Sequence, residues 1–317
     1  MMPTAPHHIL LSGHSLTDGA YPAHLRRVMD RSDMRMHVET RNKAGSTIAM
    51  RIDEGLLDDL RHAADAGSPF DMLIVTEQHT LLGNIVWNDS IANLTKVHDR
   101  FISHNGKGSS FLLSSWLNID DPADPRRWID VEAAMAPVWY CVVMRINRLL
   151  AAQGRSDRIQ LIPAAAAMAW LVQRATADEE VAGIGTNATA QTVRRLFVDD
   201  VHPTALSSWF VALVTEASIY RRMPEDHQPP PGISDALNRS LRILAWQFVD
   251  DYFRTAPPSP EDCRRHVLQV AIPQYLAYQR DGNWRHMGKF AAYWKWLRHR
   301  LGWQIFFSID PRSGLLR

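Results

Sequence analysis

With 317 residues, 35 Lys and Arg against 34 Asp and Glu, and a formal net charge of +1, the chain has no global field to attract a polyanion. Nucleic acid is therefore not an expected partner. No apolar run approaches the ~20 residues a membrane-spanning helix requires, and the length allows one substantial core with a smaller appended unit.

The first apolar run, His8–Leu11, stops abruptly at Ser12-Gly13-His14-Ser15-Leu16-Thr17-Asp18-Gly19. It begins so close to Met1 that it reads as a first strand and not as a signal peptide. The expected compartment is the cytoplasm, or an extracytoplasmic one if the chain is a processed form. Further strands are predicted at Met36–Glu39, Met72–Thr76, Ser110–Ser114 and Arg158–Ile162. Most are apolar throughout, as strands covered on both faces are. Helical patterns fill the gaps at 20–31, 50–64, 89–105, 127–152, 164–176 and 204–221, with Pro137 expected to kink or break the fourth. This alternation predicts a three-layer α/β/α domain over residues 1–223, built on a parallel five-stranded sheet.

The proline-rich segment 224–232 reads as a linker to a helical C-terminal extension, 233–317. Helices are expected there at about 233–254, 260–280 and 285–302. The last places Phe290, Tyr293, Trp294, Leu297 and Leu301 on one stripe, which predicts packing against the neighbouring domain. Lys289, Lys295, Arg298 and Arg300 leave an anionic membrane surface as the alternative. Cys141 and Cys263 fall in different units and either bridge them or remain independent thiols; their spacing excludes a zinc cluster. A homo-oligomer is compatible with the sequence.

The chemistry-bearing residues come in separated groups. Ser15 follows the first strand, Gly45 the second and Gln78-His79 the third, and groups beyond the carboxyl ends of parallel strands converge on one crevice. Far downstream stands Asp199-Asp200-Val201-His202-Pro203. A nucleophilic serine needs a base within reach and an acid that fixes the tautomer of that base. One short loop carries both, with Asp199 as orienter of His202 and Asp200 as its rival. Trp87, Trp116 and Trp139 are candidates for a sugar-facing wall, or plain core.

Gly13-His14-Ser15-Leu16, taken with Asp199 and His202, resembles the SGNH hydrolases, the GDSL-type esterases and lipases, over roughly residues 7–222. The resemblance implies a flavodoxin-like fold with Ser15 as nucleophile, His202 as general base and Asp199 as its partner. The stretch Asn42-Lys43-Ala44-Gly45-Ser46-Thr47 is similar to the second family block, which implies that Gly45 N–H joins Ser15 N–H in an oxyanion hole. His14 stands where the family usually has Asp. The third block departs further: the family has Gly-x-Asn-Asp, and this chain reads Thr76-Glu77-Gln78-His79-Thr80. His79 falls on the Asn position if Glu77 replaces the Gly, with Gln78 as the rival donor and Asn84 and Asn88 slightly later. The resemblance implies hydrolysis of short acyl esters, O-acetylated carbohydrate among them, with no metal or organic cofactor. The same triad serves acyl transfer to a sugar acceptor. The missing Asn supports a third reading, a non-catalytic carbohydrate-binding or scaffolding domain.

Overall fold

Each of the five apolar runs forms a strand in the computed structural model, which describes residues 7–30, 35–177, 181, 183–255 and 258–309. The strands are β1 (His7–Gly13), β2 (Met36–Asn42), β3 (Met72–Thr76), β4 (Ser109–Leu113) and β5 (Ile159–Ile162). All are parallel, in the order β2-β1-β3-β4-β5. Ile9, Leu10 and Leu11 are completely buried, because a central strand with helices on both faces has no solvent side.

The helices of the α/β part are α1 (Tyr21–Met29), α2 (Ile48–Asp53), α3 (Leu56–Asp65), α4 (Leu81–Trp87), α5 (Ser90–His104), α6 (Arg126–Ala152), α7 (Ala164–Thr176), α8 (Thr189–Leu196) and α9 (Ala205–Tyr220). One layer is made by α1 and α9, the other by α3, α5 and α6, and α7 packs against both α9 and α6. The chain runs from β1 to β2 on one side and returns to β3 on the other. The strand order thus reverses at β1, and the crevice beyond the carboxyl ends of β1 and β3 is the switch point where such folds bind ligands.

Several expectations are corrected in detail. Residues 50–64 form two helices, since Gly55 adopts φ +100° at the N-cap of α3 and turns the chain there. The helix around Pro137 continues unbroken from Arg126 to Ala152. Helices α4 and α8 were not anticipated. Residue 31, the last of the first expected helix, lies outside the described residues, as do 1–6 and 310–317 of the two expected units.

The C-terminal helices are α10 (Asp235–Arg254), α11 (Pro260–His266), α12 (Ile272–Asp281) and α13 (Lys289–Ile309), with a π-helical turn at Val267–Ala271. They pack directly on the α/β layers: α10 on α9 and α7, α11 and α12 on α6. A disulfide between Cys141 of α6 and Cys263 of α11 fixes that second contact, with Cα atoms 5.8 Å apart. The segment 224–232 is strapped down as well. Glu216 of α9 accepts from Glu225 N–H at 3.1 Å and pairs with His227 Nε2 at 2.9 Å, while Asn238 of α10 donates to the His227 carbonyl. Helix α13 buries Ala292, Trp303 and Phe307, so the expected stripe of Phe290, Trp294 and Leu301 faces away from the protein. Among the described residues no helix is long and apolar enough to cross a membrane.

Candidate active site

The first site segment is shaped by Gly13, the last residue of β1. A Cβ there would lie 2.0 Å from Thr17 Oγ1 and 2.8 Å from a Thr76 methyl, so only glycine lets β1 turn this closely beside β3. His14 follows in an extended conformation. Its Nε2–H donates to the Glu77 carbonyl at 3.2 Å, and its Nδ1 accepts from Leu16 N–H at 3.5 Å. That tautomer is neutral. Burial, reinforced by the charge of Arg51, pushes its pKa down to about 3. His14 is therefore no base; it ties the turn after β1 to the end of β3. Thr17 donates to the His14 carbonyl at 2.9 Å, and Asn42 donates to the Thr17 carbonyl at 2.8 Å. The resulting 3₁₀ turn, Ser15–Thr17, holds Ser15 at the rim. Neither its hydroxyl nor its backbone N–H is bonded to any described residue.

The second segment turns at Gly45, with φ +67°, and its N–H likewise donates to no described residue. Gln78 after β3 donates Nε2–H to the Gly45 carbonyl at 3.1 Å and accepts from Thr80 Oγ1 at 3.1 Å. The Gln78 amide thus braces the glycine loop. The His79 ring lies 6.4 Å from that of His14 in an edge-on arrangement. Burial lowers its pKa; Asp200 opposes the shift and His202 adds to it.

Beneath both loops lie two buried charged side chains, Arg51 and Glu77, whose role sequence reasoning missed. Arg51 of α2 donates Nε–H to Ser12 Oγ at 2.9 Å and a guanidinium N–H to Ser46 Oγ at 2.9 Å, and also reaches the Thr76 carbonyl. One side chain so links the ends of β1 and β3 with the glycine loop. Burial lowers its pKa to about 10 against the pull of Glu77, which leaves it charged at neutral pH. The Glu77 carboxylate accepts from Gln78 N–H at 2.8 Å and Ile48 N–H at 3.2 Å, and its burial pushes the carboxyl pKa up. The sequence did hold a signal: Arg51 stands three residues after buried Ile48, on the inward face of a short helix.

The late loop is the best-formed part. Asp199 Oδ2 lies 2.7 Å from His202 Nδ1, and Oδ1 accepts from the N–H groups of Val201 at 2.8 Å and His202 at 2.7 Å. Desolvation alone would raise the Asp199 carboxyl, but these hydrogen bonds prevail and hold it at about 2. Asp200 is engaged elsewhere: its carboxylate accepts from Asn118 at 2.9 Å and its carbonyl from Ile119 N–H at 2.7 Å. Asp199 is therefore the partner of His202. Buried Trp116 donates Nε1–H to the Val201 carbonyl at 2.8 Å, so it anchors this loop and lines no wall; Trp139 is core as well.

The structure sets Ser15, Gly45 and His79 beyond the carboxyl ends of β1, β2 and β3. The charge of His202 acts on both His14 and His79. It does not join Ser15 to His202, since Nε2 of His202 bonds to no described residue. The three histidines do not converge as metal ligands; among the described residues no group of three or more His, Cys, Asp or Glu does.

Fold and site together define a three-layer α/β/α protein with a serine, a histidine–aspartate pair and free backbone N–H groups at its topological switch point. Comparison with family models and with curated proteins finds no match. Among solved structures, the chain is similar to a DUF4886 family protein from Bacteroides uniformis, with a TM-score of 0.52 and 14% identity over 80% of this chain and 98% of that one. A second, the protein YxiM from Bacillus subtilis, aligns with a TM-score of 0.41 and 14% identity over 69% of this chain and 57% of that one. At such identity the first likeness shows the fold alone.

Proposed function

We propose that the protein is a serine esterase of the SGNH type that hydrolyses short acyl esters, with O-acetylated carbohydrate as its substrate class. The observation that carries this reading is the Asp199–His202 pair: a carboxylate on Nδ1 leaves Nε2 as the basic nitrogen, bonded to no described residue. Ser15 attacks the ester carbonyl as His202 takes its proton, and Asp199 stabilises the imidazolium. The oxyanion then meets the free N–H groups of Ser15 and Gly45, with His79 as the third donor because the Gln78 amide is held by Gly45 and Thr80. The Ser15–His202 hydrogen bond forms on substrate binding, as catalytic hydrogen bonds in empty sites often do. The alcohol leaves with the proton that His202 returns to it, and water then attacks the acyl-enzyme with His202 as base, releasing the carboxylic acid and restoring the Ser15 hydroxyl.

The test is release of acetate from 4-nitrophenyl acetate and from acetylated oligosaccharides by wild type and Ser15→Ala. Turnover lost in the variant supports the esterase. Product analysis with an added sugar acceptor separates hydrolysis from acyl transfer, which the same triad serves. The open Ser15–His202 gap favours one further reading, a carbohydrate-binding domain on this fold; saturable sugar binding without turnover decides for it. The Cys141–Cys263 bridge supports an oxidising, extracytoplasmic setting over the cytoplasm, because such bonds persist where thiols are not kept reduced.

A further inference from the structure

Helix α13 has two apolar faces, and only one of them is covered. The inner face seats Trp303 against Trp87 of α4 and Tyr275 of α12, with ring centroids 5.5 and 5.7 Å away. On the outer face, Phe290, Trp294, Leu301, Ile305 and Ile309 fall on one stripe at helical spacing. Phe290 is 95% exposed, Trp294 69% and Leu301 59%. A row of large side chains left in water along five turns of helix is far from the scattered single apolar residues of an ordinary surface.

Charge decides what covers it. Between Gly282 and Ile309 the chain has five cations, Arg285, Lys289, Lys295, Arg298 and Arg300, and no Asp or Glu, although the whole chain is nearly neutral. Among the described residues no carboxylate pairs with any of the five. Lys295 and Arg298 border the stripe on one side, Lys289 and Arg300 on the other. Lys295 and Arg300 rest on the Trp284 and Trp296 rings, at 4.5 and 5.1 Å, and a second copy meeting this face about a two-fold axis would bring two such cation sets together with no carboxylate between them, which opposes self-association. An anionic lipid surface reverses that term. Its acyl boundary takes up the apolar stripe and the aromatic rings, and its headgroups pair with the flanking cations, which reach out along their own apolar stems.

We propose that α13 lies in the plane of an anionic phospholipid surface with the Phe290–Trp294–Leu301 stripe inserted, making the protein a peripheral membrane protein. The proposal is independent of the triad, since none of these residues belongs to it. The experiment is flotation of the full chain with phosphatidylglycerol/phosphatidylcholine vesicles beside phosphatidylcholine alone. Wild type should float with the anionic vesicles and lose binding as salt rises. Lys289→Gln and Arg298→Gln should each weaken binding about fivefold, and Phe290→Ser with Trp294→Ser should weaken it by at least about tenfold. These side chains are exposed, so folding, followed by circular dichroism, is unaffected. Absence of binding, or equal binding to both vesicle types, overturns the proposal. So does a stable dimer in sedimentation that Leu301→Glu dissociates, for the stripe would then belong to a second copy.

Discussion

One end of the sheet joins serine, histidine and aspartate by hydrogen bonds, and the other holds a histidine–aspartate pair with an unbonded serine. At the amino end of β4, Ser110 Oγ lies 2.6 Å from His98 Nδ1, and His98 Nε2 lies 2.7 Å from Asp157. At the carboxyl end of β1, Asp199 holds Nδ1 of His202 at 2.7 Å, and Ser15 stands unbonded. By hydrogen-bond geometry alone the first trio is the more complete. It is also sealed: His98 is fully buried, Ser110 nearly so, and Arg155 clamps Asp157 from outside. Every polar group there is used up by its neighbours, and no ester can approach. The second trio leaves a hydroxyl, an imidazole nitrogen and two backbone N–H groups unspent at a switch point. A catalytic constellation differs from a structural one by these free valences and by access, and residue types or completeness do not tell them apart.

Substitutions break this comparison in graded steps. Ser15→Ala should lower ester turnover by at least about 10⁴-fold, whereas Ser110→Ala should leave turnover per folded molecule unchanged; equal losses would erase the distinction. Asp199→Asn should cost about 10⁴-fold by presenting the wrong tautomer of His202, with only a small fall in melting temperature, because the Asn Oδ1 still accepts from the Val201 and His202 N–H groups. His79→Ala should cost about 10²–10³-fold in kcat if the ring is the third oxyanion donor, and a change confined to KM would assign it to substrate binding instead.

On the sealed side the readout is stability. His98→Ala should destabilise the fold by about 3 kcal/mol, through the lost ring and the unmatched Ser110 and Asp157, as measured by urea unfolding, with turnover per folded molecule preserved. The last effect is seen only on acidification. His14 titrates at about 3 when folded and near the usual 6.5 when unfolded. It therefore supports the folded state fully above pH ~6.5, and that support is lost as pH falls toward 3, by up to about 1.4 kcal/mol per pH unit. His14→Gln should flatten this part of the stability–pH curve; an unchanged slope would mean the ring is not buried neutral.

The sheet was legible because buried parallel strands are written as uninterrupted apolar runs: Met72-Leu73-Ile74-Val75 allows little else. The linear motifs of the site were legible too, since Ser15 and Asp199-x-x-His202 each sit within a few residues. What escaped were terms set by distant pairings. Arg51 reaches Ser12 across 39 positions, and His98 meets Asp157 across 59. Short α4, Leu81-Leu82-Gly83-Asn84-Ile85-Val86-Trp87, has too few turns to show a period. The stripe on α13 was readable as amphipathic, but two opposed aromatic faces share one helix, and only packing reveals that Trp303 and Phe307 turn inward.

The most direct test is site mapping with a fluorophosphonate probe, which reacts only with an activated, accessible serine. The account predicts labelling at Ser15 in wild type, its loss in Ser15→Ala and His202→Ala, and its persistence in Ser110→Ala and His98→Ala. Well-folded wild type that takes no label, or that takes it at a serine other than Ser15, would contradict the account.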